Sequence, residues 1–395
     1  MKKILMLLTI FISINHLDFA QSPYIYKVFE FCPAPGQFVN VYPKYNEGDT
    51  YEVMLGKVEN EIVGIKKGLV SLGAYGGYIV FGFDHLVENI PGKYDFKIWG
   101  NAYYLNSNPP PGVLPYGSCE PGIVMVSYDA NGNGIPDDPW YELAGSEYHK
   151  PQTIKNYEIT YYQPDSTKIL TPNPALPFLS DTSYIRWTDN QENSGFLAKN
   201  KSHNYSYYPL WISEDSLVYE GTKLANNGQN TDGIGHFYIQ YAYPFGYADN
   251  HPNENIRSNF DIDRAVDVNG NKVNLPGIHF VKVYTGVNQY CGLWGETSTE
   301  IVGAEDFHIQ GVEIDVLAVK TELFHEARVY YSERELYIEN LEGSSGKIYN
   351  INGQVLDSFN INSGKEKYTI NLISGVYFLT IEKQNNIQTY KFNVY

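Results

Sequence analysis

The sequence predicts an all-β protein: a jelly-roll or β-sandwich body with one or two short helices and long loops, followed by a small Ig-like β-sandwich. Short runs of alternating apolar and polar residues recur along the chain, and loops rich in Gly, Pro and Asn separate them. Strands never alternate with long helical segments, as a doubly wound α/β fold would require. We interpret residues 163–231, which are rich in Pro, Asn, Ser and Tyr, as long loops or an insertion.

One helix is predicted over residues 50–61, near the start of the body. Asp49 or Thr50 serves as its N-cap, and Gly64 lies beyond its end. Its apolar residues recur at helical spacing and predict a stripe that packs against a sheet: Tyr51, Met54, Leu55, Val58 and Ile62. Body strands are predicted at residues 76–83, 94–99, 122–128, 157–162, 236–241, 280–284 and 312–317.

The C-terminal segment, residues 326–395, is predicted to be a separate β domain. Its strands are expected at residues 335–338, 346–350, 354–356, 368–372, 375–381 and 388–394, with a hairpin turn at Asn352-Gly353. The hairpin over residues 348–356 and the strand over residues 372–381 together resemble the C-terminal sorting domain of the type IX secretion system of Bacteroidota. This resemblance implies that the type IX secretion machinery is a partner. It also implies export across the outer membrane, removal of the tail and attachment to the cell surface.

The N-terminus predicts a signal peptide over residues 1–20. A short basic start at Lys2 and Lys3 precedes an apolar run over residues 4–14, which is too short for a permanent membrane helix. Cleavage after Ala20 leaves residues 21–325 as the body, and no Cys follows the apolar run that would anchor a lipid. We therefore expect a secreted protein or one held at the outer-membrane surface.

Composition excludes one class of function and leaves others open. The 395 residues carry a formal charge of −17, so the chain lacks the basic footprint of a nucleic-acid binder. Aromatic residues make up 15%, with 36 Tyr, which suits either binding surfaces or packing. Cys32, Cys119 and Cys291 allow one disulfide in any of three pairings, or none.

A calcium loop is predicted over residues 129–138. Oxygen side chains stand at loop positions 1, 3, 5 and 9, Gly134 provides the turn at position 6, and Ile135 offers its backbone carbonyl at position 7. The pattern resembles the calcium loops of thrombospondin type 3 repeats and dockerins, but Trp140 stands where those loops carry an acidic ligand. Asp138 or Glu142 is the expected substitute. The candidate ligands of a structural Ca²⁺ are Asp129, Asn131, Asn133, Ile135, Asp137 and Asp138; the alternative is a metal-free polar turn.

Aromatic residues in polar loops are candidates for ligand binding, because rings that stack on a sugar or a planar ligand need polar neighbours. Core packing is the alternative for each of them. The candidates are Trp140, Tyr141, Trp187, Tyr207, Tyr208 and Trp211.

Two acidic segments allow further interpretations. Residues 267–271 resemble a second calcium loop but fit a hairpin around Asn269-Gly270 better. Four carboxylates near the end of the body are candidates for acid and base, although a hydrolytic pair is defined by its spacing in the fold: Glu296, Glu300, Glu305 and Asp306. No catalytic motif with defined spacing is present, so catalysis is not supported by the sequence.

Several body segments together resemble Bacteroidota cell-surface proteins of a jelly-roll, PKD-like type. The segments are residues 71–85, 94–96, 100–102, 120–126, 129–143 and 277–286. Relatives of this type accompany TonB-dependent transporters, including cobalamin uptake systems. The resemblance implies non-catalytic capture of an extracellular nutrient, a corrinoid or a glycan, beside such a transporter. Two alternatives remain, a polysaccharide-active hydrolase and an adhesion protein. A deep aromatic cleft with two nearby carboxylates favours the hydrolase, and a flat polar face favours adhesion.

Overall fold

The computed structural model describes residues 22–64, 68–110, 112–308, 328–332, 335–350, 353–373, 375–384 and 386–394. Chain contacts divide the protein into two units, residues 1–309 and 310–395, which we call the body unit and the tail unit. The expected signal peptide, the strand expected at residues 312–317 and the boundary expected at residue 325 all lie outside the described residues.

The body unit is built almost entirely of antiparallel strands, which confirms the all-β prediction. Its largest sheet has six strands in the order β1 (Lys27–Cys32), β3 (Tyr78–Glu88), β17 (Gly277–Thr285), β7 (Gly122–Ser127), β8 (Trp140–Leu143) and β16 (Ala265–Val266). A four-stranded sheet follows the order β11 (Ser194–Asn200), β10 (Leu179–Asp189), β9 (Ile154–Tyr162) and β12 (Ser216–Lys223).

Three smaller sheets complete the body unit. One has the order β13 (Gly228–Asn230), β14 (Tyr238–Tyr241), β6 (Tyr116–Ser118) and β5 (Tyr103–Asn106). The others are β15 (Asn259–Phe260), β4 (Phe96–Trp99) and β19 (Gly303–Asp306), and the pair β18 (Glu300–Ile301) and β2 (Val70–Ser71). Short 3₁₀ turns lie at Ile256–Ser258, Ile262–Arg264 and Gly292–Trp294.

Helix α1 spans Tyr51–Ile62, within a residue of its predicted bounds. The Thr50 side chain accepts the backbone N–H of Val53 and so caps the first turn. Met54, Val58 and Ile62 are the buried residues of its apolar stripe, as the helical spacing predicts. Val58 and Ile62 belong to the core on one face of the six-stranded sheet.

The six-stranded sheet lies between two hydrophobic cores because successive residues of a strand point to opposite faces. On β17, Val281 and Val283 enter the core that also contains the residues of α1, whereas Tyr284 enters a second core rich in tyrosine. The second core is shared with the four-stranded sheet through Ile159 and Tyr161 of β9. A strand with both faces covered is mostly apolar, and this explains the predominance of apolar residues in β3 and β17.

Residues 163–231 are predicted as long loops or an insertion, and the interpretation as loops alone is wrong, because β10, β11, β12 and β13 lie within this range. β10 and β11 form a hairpin with each other, and β10 and β12 both pair with β9 in antiparallel registers. The Pro residues of the range lie in the connections between strands.

The tail unit contains two antiparallel sheets, in agreement with the predicted β domain. Their orders are β20 (Arg328–Ser332), β21 (Glu335–Glu339) and β24 (Lys365–Thr369), then β23 (Val355–Ile361), β22 (Ser344–Asn350), β25 (Gly375–Lys383) and β26 (Asn386–Val394). Its core contains Leu336, Ile338, Ile348, Leu379 and Ile381.

All three cysteines are free thiols, so the possible disulfide is not formed. Cys119 and Cys291 are buried, and burial raises the pKa of both thiols above its ordinary value. Within the part of the chain that the structure describes, no helix has both the length and the apolar character needed to cross a membrane.

Candidate functional site

The body unit contains a cleft of about 520 Å³, which we call the acidic cleft. Its walls come from the segment before α1, from β5, β6 and β14, from residues 200–203 with His203, and from the segment between β17 and β18. It combines aromatic rings with carboxylates. The aromatic residues are Phe38, Tyr42, Tyr103, Tyr238 and Trp294, and the acidic residues are Glu120, Glu296 and Glu300.

Three rings of the acidic cleft are exposed to solvent. Trp294 is 59% exposed, Tyr103 is 49% exposed and Tyr42 is 41% exposed. Trp294 ends the short 3₁₀ turn Gly292–Trp294, so its ring projects from a tight bend rather than from a packed strand. Aromatic rings are normally covered in a soluble fold, and exposed rings around a cavity are typical of a ligand-binding surface.

The floor of the acidic cleft is formed by carboxyl groups without a partner cation. Glu296 and Glu300 are both buried, and Glu120 is half-buried. Among the described residues, no Lys, Arg or His forms an ion pair with any of the three. Burial raises the pKa of Glu120 to about 7 and that of Glu296 to about 8. Burial, and then the charge of Glu120, also raises the pKa of Glu300.

Local hydrogen bonds hold these carboxyl groups in place. Glu120 accepts the N–H of Ser298 and the hydroxyl of Ser118, each at 3.2 Å. Glu296 accepts the N–H of Gln37 at 2.6 Å. An added Cβ at Gly36 would lie 2.8 Å from the same Glu296 oxygen, so the segment before α1 reaches Glu296 only because residue 36 is Gly.

Asp249 lies behind the floor and connects three segments. Its Oδ1 accepts the N–H groups of Asn101 and Ala102, each at 2.8 Å, and its Oδ2 accepts the N–H of Glu300 at 2.9 Å. Carboxyl oxygens of Asp249, Glu120 and Glu300 lie within 4.8 Å of one another. Burial and the charge of Glu120 raise the pKa of Asp249, and the three N–H donors oppose that rise.

Gln37 adds an acceptor that has no donor. The residue is 4% exposed and lines the acidic cleft, and its side-chain N–H donates to the backbone carbonyl of Trp294. Its Oε1 is buried and accepts no hydrogen bond within the protein. A buried acceptor without a partner costs about 1–3 kcal/mol, so a bound donor would stabilise this position.

Most aromatic residues that the sequence singles out lie elsewhere. Tyr207 and Tyr208 are buried, and their hydroxyls donate to protein groups or accept from them. Tyr141 and Trp211 pack against the first core, and Trp187 packs against the second. Trp140 lines a separate cavity of about 450 Å³ together with Glu142 and Lys155. The ligand-binding role of these six residues stays a prediction.

The loop over residues 129–138 folds around Asp129. Asp129 Oδ1 accepts the N–H groups of Gly132 and Asn133, and its Oδ2 accepts that of Gly134. The side chains of Asn131 and Asn133 both reach Asp137, at 3.2 Å and 3.0 Å. Four of the predicted ligands therefore lie on one small loop, with oxygens of the kind that Ca²⁺ prefers.

The two residues predicted as substitutes for the twelfth ligand, Asp138 and Glu142, have different surroundings. Asp138 Oδ2 accepts the N–H of Ala130, so this carboxylate folds back onto the loop. Glu142 instead accepts the hydroxyl of Thr222 at 2.5 Å and lies 3.8 Å from Lys155. The segment over residues 267–271 is a hairpin turn, as predicted, with Asp267 accepting the N–H groups of Asn269 and Asn271.

Of the four carboxylates proposed as acid or base, the structure brings two to the acidic cleft, Glu296 and Glu300. Asp306 contacts His85 at 2.8 Å, and Glu305 lies on β19 opposite Lys97. Glu120 and Gln37, which line the acidic cleft, and Asp249, which lies behind its floor, are not among the site residues that the sequence predicts. A usable signal was present for two of them: each stands beside Pro and Gly in a short connection, at Pro35-Gly36-Gln37 and Glu120-Pro121-Gly122.

Comparison with known proteins identifies the tail. Residues 332–395 match the family of secretion system C-terminal sorting domains. The predicted type IX sorting tail is thereby confirmed, and it implies export and attachment at the cell surface. The match lies outside the body, so the resemblance of the body to PKD-like surface proteins stays a prediction.

No curated protein matches the chain. Among solved structures, the chain is similar to PorZ, an essential bacterial surface component of the type-IX secretion system of Porphyromonas gingivalis. The two share 10% identity, and the similarity covers 86% of this chain and 53% of the PorZ chain, with a TM-score of 0.18. The chain thus spans about half the length of PorZ, and at this TM-score the similarity supports no statement about fold or function.

Proposed function

We propose that the body captures an extracellular ligand in the acidic cleft, a glycan or a corrinoid, and presents it to an outer-membrane transporter of the TonB-dependent type. The observation that carries this proposal is the combination of exposed rings and an acceptor-rich floor in one cleft. Ring faces stack on the apolar faces of sugars or on planar ligands, while carboxylates accept hydrogen bonds from hydroxyl or amide groups. The sorting tail places such a module where extracellular nutrients arrive.

Replacing Trp294 by Ala is expected to weaken ligand binding about tenfold, because truncating a central aromatic anchor typically costs more than 1 kcal/mol. Thermal-shift titration of the purified protein with a glycan panel and with cyanocobalamin identifies the ligand, since a ligand raises the melting temperature with its concentration. Phe196, 49% exposed on β11 and outside the acidic cleft, supplies the matched control Phe196→Ala. Equal loss of affinity in both variants would contradict the assignment of the cleft.

Hydrolysis of a glycan is a second candidate, favoured by one observation. Glu120 and Glu296 line an aromatic cleft, and burial raises the pKa of each to the neutral range, where a carboxylic acid can donate a proton. Incubation of each bound glycan followed by an assay for new reducing ends separates capture from hydrolysis. Capture predicts that the glycan is recovered intact, and hydrolysis predicts reducing ends that Glu296→Gln abolishes.

A structural Ca²⁺ in the loop over residues 129–138 forms part of the same proposal. Asp129, Asn131, Asn133, Asp137 and Asp138 would supply side-chain oxygens, and Ile135 would supply its carbonyl. The three carboxylates form no ion pair within the described residues, so a divalent cation would neutralise their repulsion.

EDTA is expected to lower the melting temperature of the native protein, and Asp129→Ala is expected to remove this sensitivity. Calcium at a hundredfold excess over its dissociation constant adds about 2.7 kcal/mol to folding, so the loss is measurable by thermal shift. Asp267→Ala is the matched control, because Asp267 caps a hairpin turn of similar sequence by similar hydrogen bonds. A native protein that melts at the same temperature with EDTA and with calcium has no calcium site in this loop.

A further inference from the structure

We infer that the ligand of the acidic cleft is cationic, an amino-sugar glycan whose ammonium group lies between the exposed rings and the carboxylate floor. This inference rests on the proposed function and narrows its ligand class. It is carried by the charge balance of the cleft, by its aromatic walls and by one buried acceptor.

The carboxyl groups of the cleft have no cationic partner among the described residues. Glu120, Glu296 and Glu300 face the cleft, Asp249 lies behind them, and no Lys, Arg or His of the described ranges is within ion-pair distance of any of the four. Buried carboxylates are otherwise paired or protonated, because an isolated charge in a low-dielectric site is strongly disfavoured. A positively charged ligand would pair with these carboxylates and allow them to ionise.

The walls suit an organic cation. An ammonium group is attracted to the face of an aromatic ring, most strongly to that of Trp, and a ring cage is the usual recognition site for substituted ammonium groups. Trp294, Tyr103 and Tyr42 are the exposed rings here. A neutral sugar would use the rings but would leave the carboxylates without a counter-charge.

The buried amide oxygen of Gln37 is a separate observation that also favours a ligand with N–H donors. Gln37 is 4% exposed and lines the cleft, and its Oε1 has no hydrogen-bond partner in the protein. An ammonium group offers up to three N–H donors and no acceptor, which matches the carboxyl oxygens and the free amide oxygen of Gln37 on the floor. A ligand with donors therefore satisfies both the carboxylates and this amide oxygen.

A divalent metal ion fits the same charge less well. The oxygens of Glu120, Asp249 and Glu300 are close enough for such an ion, but both oxygens of Asp249 already accept backbone N–H groups. Aromatic rings also contribute nothing to the coordination of a hard cation, which takes oxygen ligands. The walls would then have no role.

The cleft is expected to bind its cation more tightly as the pH rises, because the carboxyl groups must ionise. Besides the carboxyl groups, the titratable groups that line the cleft are His203, Tyr42, Tyr103 and Tyr238. Groups behind the floor that interact electrostatically with its carboxyl groups are Cys119, Cys291, Tyr161, Tyr205, Tyr207 and Tyr290. Burial raises the pKa of these thiols and phenols and lowers that of His203. Glu120 and Glu296, with pKa values raised to about 7 and about 8, ionise as the pH rises to 8.

The test compares three tetramers by calorimetry at pH 7.5: glucosamine, N,N,N-trimethylglucosamine and N-acetylglucosamine. We expect the two cationic tetramers to bind at least tenfold more tightly than the neutral one, and Glu300→Gln to remove this preference. Glu120→Gln repeats the test should Glu300→Gln fail to fold, and Glu254→Gln removes an exposed charge outside the cleft as the matched control. Affinity for the trimethyl tetramer, whose charge is fixed, is expected to rise from pH 5.5 to pH 8 and to rise less in Glu296→Gln.

Each other outcome overturns the inference in a distinct way. Equal affinity for cationic and neutral tetramers, or binding of cyanocobalamin alone, rejects the cationic ligand and leaves capture intact. If calcium raises the melting temperature of the native protein and Glu300→Gln removes this rise, the carboxylates of the floor bind a metal ion instead. Absence of binding by the tetramers, cyanocobalamin and the rest of the panel rejects the proposed function together with the inference.

Discussion

Replacing Asp249 by Ala is expected to destabilise the body unit by about 3 kcal/mol, since three backbone N–H groups lose a side-chain acceptor and the one from Glu300 is buried, where an unsatisfied donor costs about 1–3 kcal/mol. The backbone adds to the effect. Asp249 has a φ of 53°, in the left-handed region that Asp and Asn tolerate better than Ala. Relief of repulsion with Glu120 and Glu300 offsets only part of this loss, because the donors remain unsatisfied.

Urea unfolding of the native protein, Asp249→Ala and Asp249→Asn measures this effect. Asn keeps an oxygen for Asn101 and Ala102 and tolerates the positive φ, but its NH₂ faces the N–H of Glu300. We therefore expect Asp249→Asn to lie between the native protein and Asp249→Ala. Similar stability of the native protein and Asp249→Ala would show that Asp249 does not hold the three segments together.

Glu296→Gln is expected to make the body more stable than the native protein at pH 8 and to leave it nearly unchanged at pH 4.5. Burial raises the pKa of Glu296 in the folded protein to about 8, against an ordinary value of 4.5. The folded state therefore holds a proton that the unfolded chain releases above pH 4.5. Its contribution to stability is complete below that pH and is lost as the pH rises through 8, on the order of 5 kcal/mol in all.

Melting temperatures of the native protein and Glu296→Gln between pH 4.5 and pH 8.5 test this prediction. Glu120, Glu300, Asp249 and His85 have raised pKa values as well and shift the native curve in the same direction. The difference between the two proteins therefore isolates Glu296, and Glu254→Gln serves as the surface control. Parallel curves for the native protein and Glu296→Gln would mean that Glu296 is ionised in the folded state across this range.

These two predictions concern residues whose importance arises from partners distant in sequence. Asp249 acts on Asn101 and Ala102, and Glu296 contacts Gln37, with more than a hundred residues between the members of each pair. The sequence alone does not show which of the 45 acidic residues become buried when the chain folds. For the same reason, the sequence could not predict the distance between two carboxylates, which decides whether they form a pair.

Local signals, in contrast, were sufficient for several elements. The Thr50 cap and the apolar spacing that follows it predicted α1, because the cap and the stripe both act within a few residues. The turn around Asn269-Gly270 and the strands of the tail were equally local, since turn chemistry and period-2 alternation do not depend on distant partners.

The aromatic residues show where such reasoning ends. Tyr207 and Tyr208 stand among polar residues in the sequence and yet are buried, whereas Trp294, Tyr103 and Tyr42 are exposed around the cleft. Exposure depends on which segments cover a ring, and the covering segments come from other parts of the chain.

By itself, the sequence determined the fold class, the helix, the oxygen-rich loop and the sorting tail, because each depends on propensities and contacts over a few residues. The tertiary structure alone decided which rings face solvent and which carboxylates share a floor. It also decided that residues 163–231 supply four strands rather than loops alone. The physical reason is common to all three: burial and long-range pairing are properties of segments brought together by folding.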